Sequence, residues 1–486
     1  MHLRFFARNG LAAPFSVNGF LRRSIAVLFA AAVYAPTCAL AQSDLRFPAL
    51  EGLAPFSALL NSPAGKAALA SNYTVTGAIE NGTANQPALE PFAAQRAQAL
   101  KDAFITGGNA CELADGLGTK LSAAYQSAAS YTSTDDGATS TFTSLSTNVA
   151  DLIAYTAGLT SADAASAKYF FANATVVAKT GAQPVSKAGA AILAAAGGTT
   201  DVMGKAYDRP AGSAGADAYG DSRPFQTEAN FVKYSDADYF GVQASNSDYL
   251  NGPIQNLTDS PSFPSGHTTY GYTESLLLAI MVPQRFPQMI ARGAEYGNDR
   301  IIVGAHYAMD VIGGRTLAYY DVAHLLAQSP NYVGQTIGHI TITDYQAALH
   351  AATADMTKVL ADRCGGTMSA CADEDSGRFR DAAADEMFYE STQTYGLAAV
   401  YPATAQQVED VSTLAPEAGY LLSSAFPGLS LEQADLILTQ TEGPGGGFLD
   451  NGSAFGLYSR LDLFKAGMRA AKLSAAPQAQ SSPSHD

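Results

Sequence analysis

The chain is short of positive charge: 28 Lys and Arg stand against 44 Asp and Glu in 486 residues, a formal net charge of −16. A nucleic-acid partner usually needs a basic face, so that class of function is disfavoured at once. Any anion handled here must meet its cations locally, inside a site. Proline is limited to 22 positions, charged residues to 15%, and 47% of residues are hydrophobic. That balance excludes a disordered chain and can bury one large core, with or without a satellite domain. Long apolar runs are also scarce. Beyond residue 41 no segment reaches 18 consecutive apolar residues, so a membrane span is not expected in the mature chain, which should be soluble or peripherally attached. Cysteine is rare, with four in all, and no Cys/His spacing suggests zinc.

The first 41 residues are different. They hold Arg4, Arg8, Arg22 and Arg23 with no acid, then an apolar run from Ile25 to Ala35, then Ala39-Leu40-Ala41. A basic start, a short apolar stretch and an A-x-A site describe a secretory signal peptide, and the run is too short for an anchor of ~20 residues. Arg22-Arg23 hints at twin-arginine export, though the flanking residues fit poorly, and Thr37 before Cys38 speaks against a lipoprotein. The expected location is periplasmic or secreted. In such an oxidising compartment Cys364 and Cys371, which bracket a six-residue loop, read as a local disulfide, leaving Cys111 as a packed thiol.

The remainder reads as helix. Ala-rich segments near 89–104, 147–158, 162–172 and 187–196 lack period-2 alternation, and helical patterning returns at Thr269–Ile280, Met289–Gly297 and Ala308–Gln328. Further helices are expected at 343–361, 376–412 and 429–440. The Ser/Thr-rich stretch Gln126–Asn148 and the segment 211–222 read as loops. Gly443-Pro444-Gly445-Gly446-Gly447 is a turn-rich loop and a poor phosphate cradle, since no strand precedes it and no Lys-Ser/Thr follows. The tail 474–486 is polar and expected to be disordered. The expected division is 1–41 signal peptide, 42–150 N-terminal helical region, 151–330 core, 331–473 C-terminal helical extension, then the tail.

Three clusters carry the chemistry. One is Lys205-Ala206-Tyr207-Asp208-Arg209-Pro210, followed after the insertion by Ser222-Arg223-Pro224-Phe225. The next is Pro264-Ser265-Gly266-His267. The last runs Asn298-Asp299-Arg300, five residues, His306, three residues, Asp310. Pro264-Ser265-Gly266 turns the chain into a helix whose N-terminus offers free N–H groups to an anion. Ser265 adds a hydroxyl, and Gly266 permits close approach. His306 and Asp310, four apart, should share a face of a helix opening near His306, so that the carboxylate holds one imidazole nitrogen protonated and frees the other. Arg300 can fork onto two anion oxygens, and Lys205 with Arg209 or Arg223 adds charge. Two imidazoles and several cations around one oxyanion suit phosphoryl transfer with no metal. His324, His339 and His350, outside these clusters, read as structural.

These clusters resemble the signature of the PAP2 superfamily, which includes bacterial class A nonspecific acid phosphatases, lipid phosphatases and vanadium haloperoxidases. The likeness extends through Thr268-Thr269-Tyr270-Gly271-Tyr272 and Ile312-Gly313-Gly314-Arg315, is greatest for the soluble acid-phosphatase branch, and covers roughly residues 150–330. It implies an all-α, vanadium-haloperoxidase-like bundle with additional N- and C-terminal helical regions. It further implies a phosphate-monoester hydrolase working through a phosphohistidine, with His306 as nucleophile, Asp310 as its orienter and His267 as leaving-group acid. Lys205, Ser265, Gly266 and Arg300 fall on phosphate-binding positions. Two departures stand out. Asp299 replaces the family serine and adds a negative charge, and the first motif is split, with Arg223 favoured as its arginine and Arg209 as auxiliary, or the two exchanging roles. No cofactor is expected; the alternatives are a haloperoxidase holding vanadate and a non-catalytic oxyanion-binding protein. The partners expected are small phosphate monoesters, with a homo-oligomer possible.

Overall fold

The computed structural model describes residues 47–104, 107–133, 140–173, 194, 221–228 and 231–475. Lys205, Arg209, the loop 211–222 up to Gly220, the leader and the tail beyond 475 lie outside them, as does all of the expected 187–196 helix except residue 194. The described part is all-α apart from three small antiparallel hairpins.

The longer helices are α1 (Pro63–Glu80), α2 (Phe92–Asp102), α3 (Thr119–Ala128), α4 (Thr147–Asn173), α5 (Gly266–Met281), α6 (Phe286–Ile302), α7 (Ala308–Leu326), α8 (Tyr345–Cys364), α9 (Ala382–Thr394), α10 (Leu431–Gln440) and α11 (Leu463–Ala475). At the centre, α5 packs on α4, α6 and α7, while α8 covers α4 and α9 with α11 covers α6. From Thr268 onward every residue of α5 is buried, and α7 is buried at every position but His324. Helices covered on all sides need apolar residues all round, and both sequences supply them. The middle and end of α6 break that rule, burying Arg292, Glu295, Asn298, Asp299 and Arg300.

One hydrophobic core runs from Ala49 through to Ala470. The C-terminal region is pinned to α7 by Arg315, whose guanidinium donates to the carbonyls of Thr392, Gln393 and Ser459 at 3.0–3.1 Å. Phe263 meets Phe448 and Phe286 meets Phe426, at ring separations of 6.2 and 5.4 Å. Cys364 and Cys371 are joined as a disulfide, and Cys111 is a free, buried thiol.

Three local expectations change. The Ser/Thr-rich stretch contains a hairpin, β1 (Ser130–Ser133) against β2 (Ser140–Thr143). Tyr131 sits opposite Phe142, with rings 5.3 Å apart, a cross-strand aromatic pair that favours the sheet. Segments 147–158 and 162–172 form one unbroken helix, α4, in which Gly158 lies where the Ile337 side chain packs, leaving no room for a Cβ. The helix expected over 376–412 stops at Thr394, where Tyr395 and Gly396 take left-handed φ values of 51° and 68°.

Candidate active site

The site begins with a turn. Arg300 closes α6, and its carbonyl accepts from the backbone N–H groups of both Ala305 (2.9 Å) and His306 (3.1 Å). The turn needs Gly304, which sits at φ 86°, with the Phe231 ring and Glu80 where a Cβ would project. His306 therefore lies in the turn, two residues ahead of α7, and not on the helix itself. Asp310 occupies the first turn of α7, and its Oδ2 accepts from the N–H of Tyr307, the N-cap residue, at 2.8 Å. The next two N–H groups of α7 find acceptors on α1: Ala308 donates to Thr76 Oγ1 (3.1 Å) and Met309 to Asn72 Oδ1 (2.9 Å). The N-terminal helical region thus caps the helix that presents Asp310.

The second turn is stitched to the first. Ser265 N–H donates to the Asp310 carbonyl at 3.0 Å, and Ser265 Oγ caps α5 by accepting from Thr268 N–H at 3.1 Å. Gly314 lets the helices close, since a Cβ there would lie 2.5 Å from the Ser265 carbonyl. Gly266 is the opposite case. A Cβ on it would meet no atom of the described residues within 4 Å, and the free N–H groups at the start of α5 beside it favour an anion. His267 follows in that first turn and faces His306 with ring centroids 5.8 Å apart.

Hydrogen bonds fix the state of His306. Arg223 Nη1 approaches His306 Nε2 at 3.0 Å. Arginine can only donate, so Nε2 carries the lone pair and Nδ1 carries the proton. That Nδ1–H faces Asp310 Oδ2 at 3.4 Å, and Ser262 Oγ donates to the same oxygen at 2.5 Å. Burial lowers the His306 pKa well below its ordinary value, and the positive charges of Arg223 and Lys168, His267 and Arg300 lower it further. Burial also depresses His267, with Arg300, Arg223 and Lys168 adding to it. Burial pushes the Asp310 carboxyl up to about 6, against the hydrogen bonds from Ser262 and Tyr307.

The cations divide into two kinds. Arg223 is heavily bonded: Nε donates to the Ser260 carbonyl (2.7 Å), Nη1 to the Ala305 carbonyl (2.8 Å), and Nη2 to the Pro261 carbonyl (3.1 Å) and Ser260 Oγ (3.2 Å). Arg300 is 2% exposed, yet its Nε and Nη2 have no hydrogen-bond partner among the described residues. Its charge rests over the Tyr296 ring at 4.5 Å. A buried guanidinium with open donors is a costly arrangement that an oxyanion would relieve. Asp299, beside it, is also buried. Burial, then the carboxylates of Asp102 and Glu295, raise its pKa well above the usual range and favour the neutral acid.

The structure thus gathers His267, His306, Asp310, Arg223, Arg300, Ser265 and Gly266; Lys205 and Arg209 fall outside the described residues. Sequence reasoning missed Ser262, which lies two residues ahead of Pro264, and Lys168, Asn72 and Thr76, which reach the site from elsewhere in the chain. His324 bonds Ser329 Oγ at 3.0 Å and stacks on Tyr332, while His339 and His350 are exposed. No group of three or more His, Cys, Asp or Glu suited to a metal ion occurs among the described residues. No described helix is long and apolar enough to cross a membrane.

Residues 187–333, which contain every motif above, match the model of the PAP2 superfamily. The chain is 38% identical over 71 residues to an acid phosphatase of Zymomonas mobilis, covering 15% of this chain and 27% of that protein. It is 41% identical over 69 residues to a non-specific acid phosphatase of Salmonella typhimurium (14% and 28%) and 29% identical over 106 residues to one of Providencia stuartii (22% and 41%). The matches span little more than a quarter of the first two relatives' length.

Proposed function

We propose that this protein is a phosphomonoester hydrolase of the acid-phosphatase type, working through a phosphohistidine and needing no metal. His306 Nε2 attacks phosphorus as the ester P–O bond breaks, and His267 gives its proton to the departing oxygen. Water then attacks the phosphohistidine, His267 takes a proton from it, and inorganic phosphate leaves with His306 restored. Asp310 keeps the Nδ1–H in place throughout and stabilises the charge that forms on the ring. Arg300 and the free N–H groups at the start of α5 bind the equatorial oxygens. His267 must be protonated to act first, against a depressed pKa. A bound phosphate dianion supplies negative charge that raises it, and acidic pH helps.

The observation that carries this reading is Arg300, buried with its donors open, beside two facing imidazoles of which one is held by a carboxylate. The acid-phosphatase names of the relatives support the same chemistry. The substrates proposed are small phosphate monoesters, and residues 1–41 are proposed to direct export, with cleavage after Ala41. The deciding assay is hydrolysis of an aryl phosphate in chelator, run beside bromide oxidation by peroxide after vanadate loading. Chelator-resistant hydrolysis without halide oxidation is the expected result. Halide oxidation without hydrolysis would show that the cradle serves vanadate, and phosphate binding with neither activity would reduce the protein to an oxyanion binder.

A further inference from the structure

Ser260 to Phe263 form the wall against which His306 and Asp310 are set. Arg223 grips the carbonyls of Ser260 and Pro261, and Asp221 accepts from the N–H groups of Ser262 (2.9 Å, through its carbonyl) and Phe263 (2.7 Å, through its carboxylate). A third grip comes from α4. Lys168 Nζ donates to the Pro261 carbonyl at 2.6 Å and reaches the Ser262 carbonyl at 3.4 Å. Lys168 is only 7% exposed. Ser262 in turn makes the 2.5 Å bond to the Asp310 carboxylate that faces His306.

Building on the reading of His306 as nucleophile, we propose that Lys168 is a positioning residue for this site, setting the Ser262–Asp310–His306 chain from a helix outside the three motifs. A neutral donor could hold two carbonyls at far lower desolvation cost than a buried ammonium. The charge therefore has a use of its own. His306 is faced by His267 from α5, Arg300 from α6, Asp310 from α7, Arg223 from the 222–227 turn, and Lys168 from α4. Burial is the largest cause of the low His306 pKa, and among the cations of the described residues Lys168 stands second, after Arg223. Lys168 also helps to keep Asp310 ionised, after the bonds from Ser262 and Tyr307. Both effects favour a neutral ring with its proton on Nδ1, the form that attacks.

The test compares the full-length wild-type protein with Lys168→Gln, which keeps a donor without charge, and Lys168→Arg, which keeps the charge. kcat/KM for an aryl phosphate is followed against pH, since its acid limb reports the free enzyme's groups. Lys168→Gln should lose on the order of 10²-fold in kcat/KM, the scale of a small misplacement near the reacting atoms. Its acid limb should move to higher pH, because a ring relieved of a neighbouring positive charge is easier to protonate. Lys168→Arg should restore the limb to its wild-type place. An unshifted limb in Lys168→Gln, or an arginine variant no better than glutamine, would overturn the proposal and leave Lys168 a loop clamp. A parallel titration of labelled histidine, with the His306 signal identified by its loss in His306→Ala, reads the same shift without turnover. If His306→Ala kept full activity, the nucleophile would be wrong, while this titration would still judge Lys168.

Discussion

Arg292 and Arg300 lie two turns apart on α6, both buried among carboxyl groups, and they have been treated in opposite ways. Arg292 is saturated: Nη1 and Nη2 fork onto Asp102 at 2.6 and 2.7 Å, Nε donates to Asp115 at 2.6 Å, and Glu295 lies 3.3 Å from Nη1. Arg378 closes that network by bridging Asp115 and Glu295 at 2.6–2.7 Å. Burial alone would raise the Asp102 pKa, but Arg292 overrides it and holds the carboxylate firmly ionised. Arg300 has acids nearby and is bonded to none of them. Burial, then Asp102, pushes the carboxyls of Asp299 and Glu112 well above their ordinary pKa. One end of the helix has its charges satisfied within the protein. The other keeps a cation open, as a site that must receive an anion requires.

Exchanging the two losses gives the largest expected effects. Arg300→Ala should lower kcat for an aryl phosphate by about 10²–10³-fold, the scale for removing one transition-state donor, with little change in unfolding free energy. Arg292→Ala should behave in reverse, costing about 3–5 kcal/mol by stranding Asp102, while the folded fraction still turns over. Equal effects of both variants on stability and on rate would erase the distinction. Denaturant unfolding beside steady-state kinetics measures both.

Next in size is His267→Ala, which sharpens the division of labour across the gap that Arg300 borders. General-acid help is worth about 10²-fold or more when the leaving oxygen is basic, so an alkyl phosphate should suffer far more than an aryl phosphate. Equal losses on the two esters would remove His267 from that role.

The motif residues were legible because each cluster is local in sequence. Ser265-Gly266-His267 form one helix start, and Arg300, His306 and Asp310 lie within eleven residues, across the connection from α6 to α7. Arg223 was marked by the Pro-Phe that follows it. What was not legible depends on distant packing. Lys168 reaches Pro261 across 93 residues of sequence, and Asn72 and Thr76 cap α7 from more than 230 residues away. No periodicity in their own helices distinguishes them from ordinary polar positions. The upward pKa shift of Asp299 was hidden for the same reason, since it follows from its burial and then from Asp102 and Glu295 beside it. The extent of the bundle was largely readable from its long apolar helices, whereas the end of α9 was not, because the stop rests on a left-handed Tyr395 that is unusual for a non-glycine residue.

The smallest expected effect concerns acids whose carboxyl pKa burial pushes upward. Burial, then Glu228, raises Glu80 to about 8, and burial raises Asp385, Asp435 and Glu442 to about 7. A carboxyl whose folded pKa is raised binds its proton more tightly when folded. Its stabilising contribution is full below about 4.5 and is lost as pH rises through 7 to 8. The thermal midpoint should therefore fall between pH 5 and pH 8, and Glu80→Gln should flatten part of that slope. A midpoint that rises over this range would contradict the sign.

The central claim is that His306 becomes covalently phosphorylated in a site held open by Arg300. Rapid quenching of the full-length protein during turnover of an aryl phosphate, followed by peptide mapping under alkaline conditions, tests it directly. The account predicts an acid-labile phosphoryl group on His306, accumulating in His267→Ala if the later step also slows, and absent from His306→Ala. A phosphoryl group mapped to another residue, or turnover at the wild-type rate in His306→Ala, would contradict it.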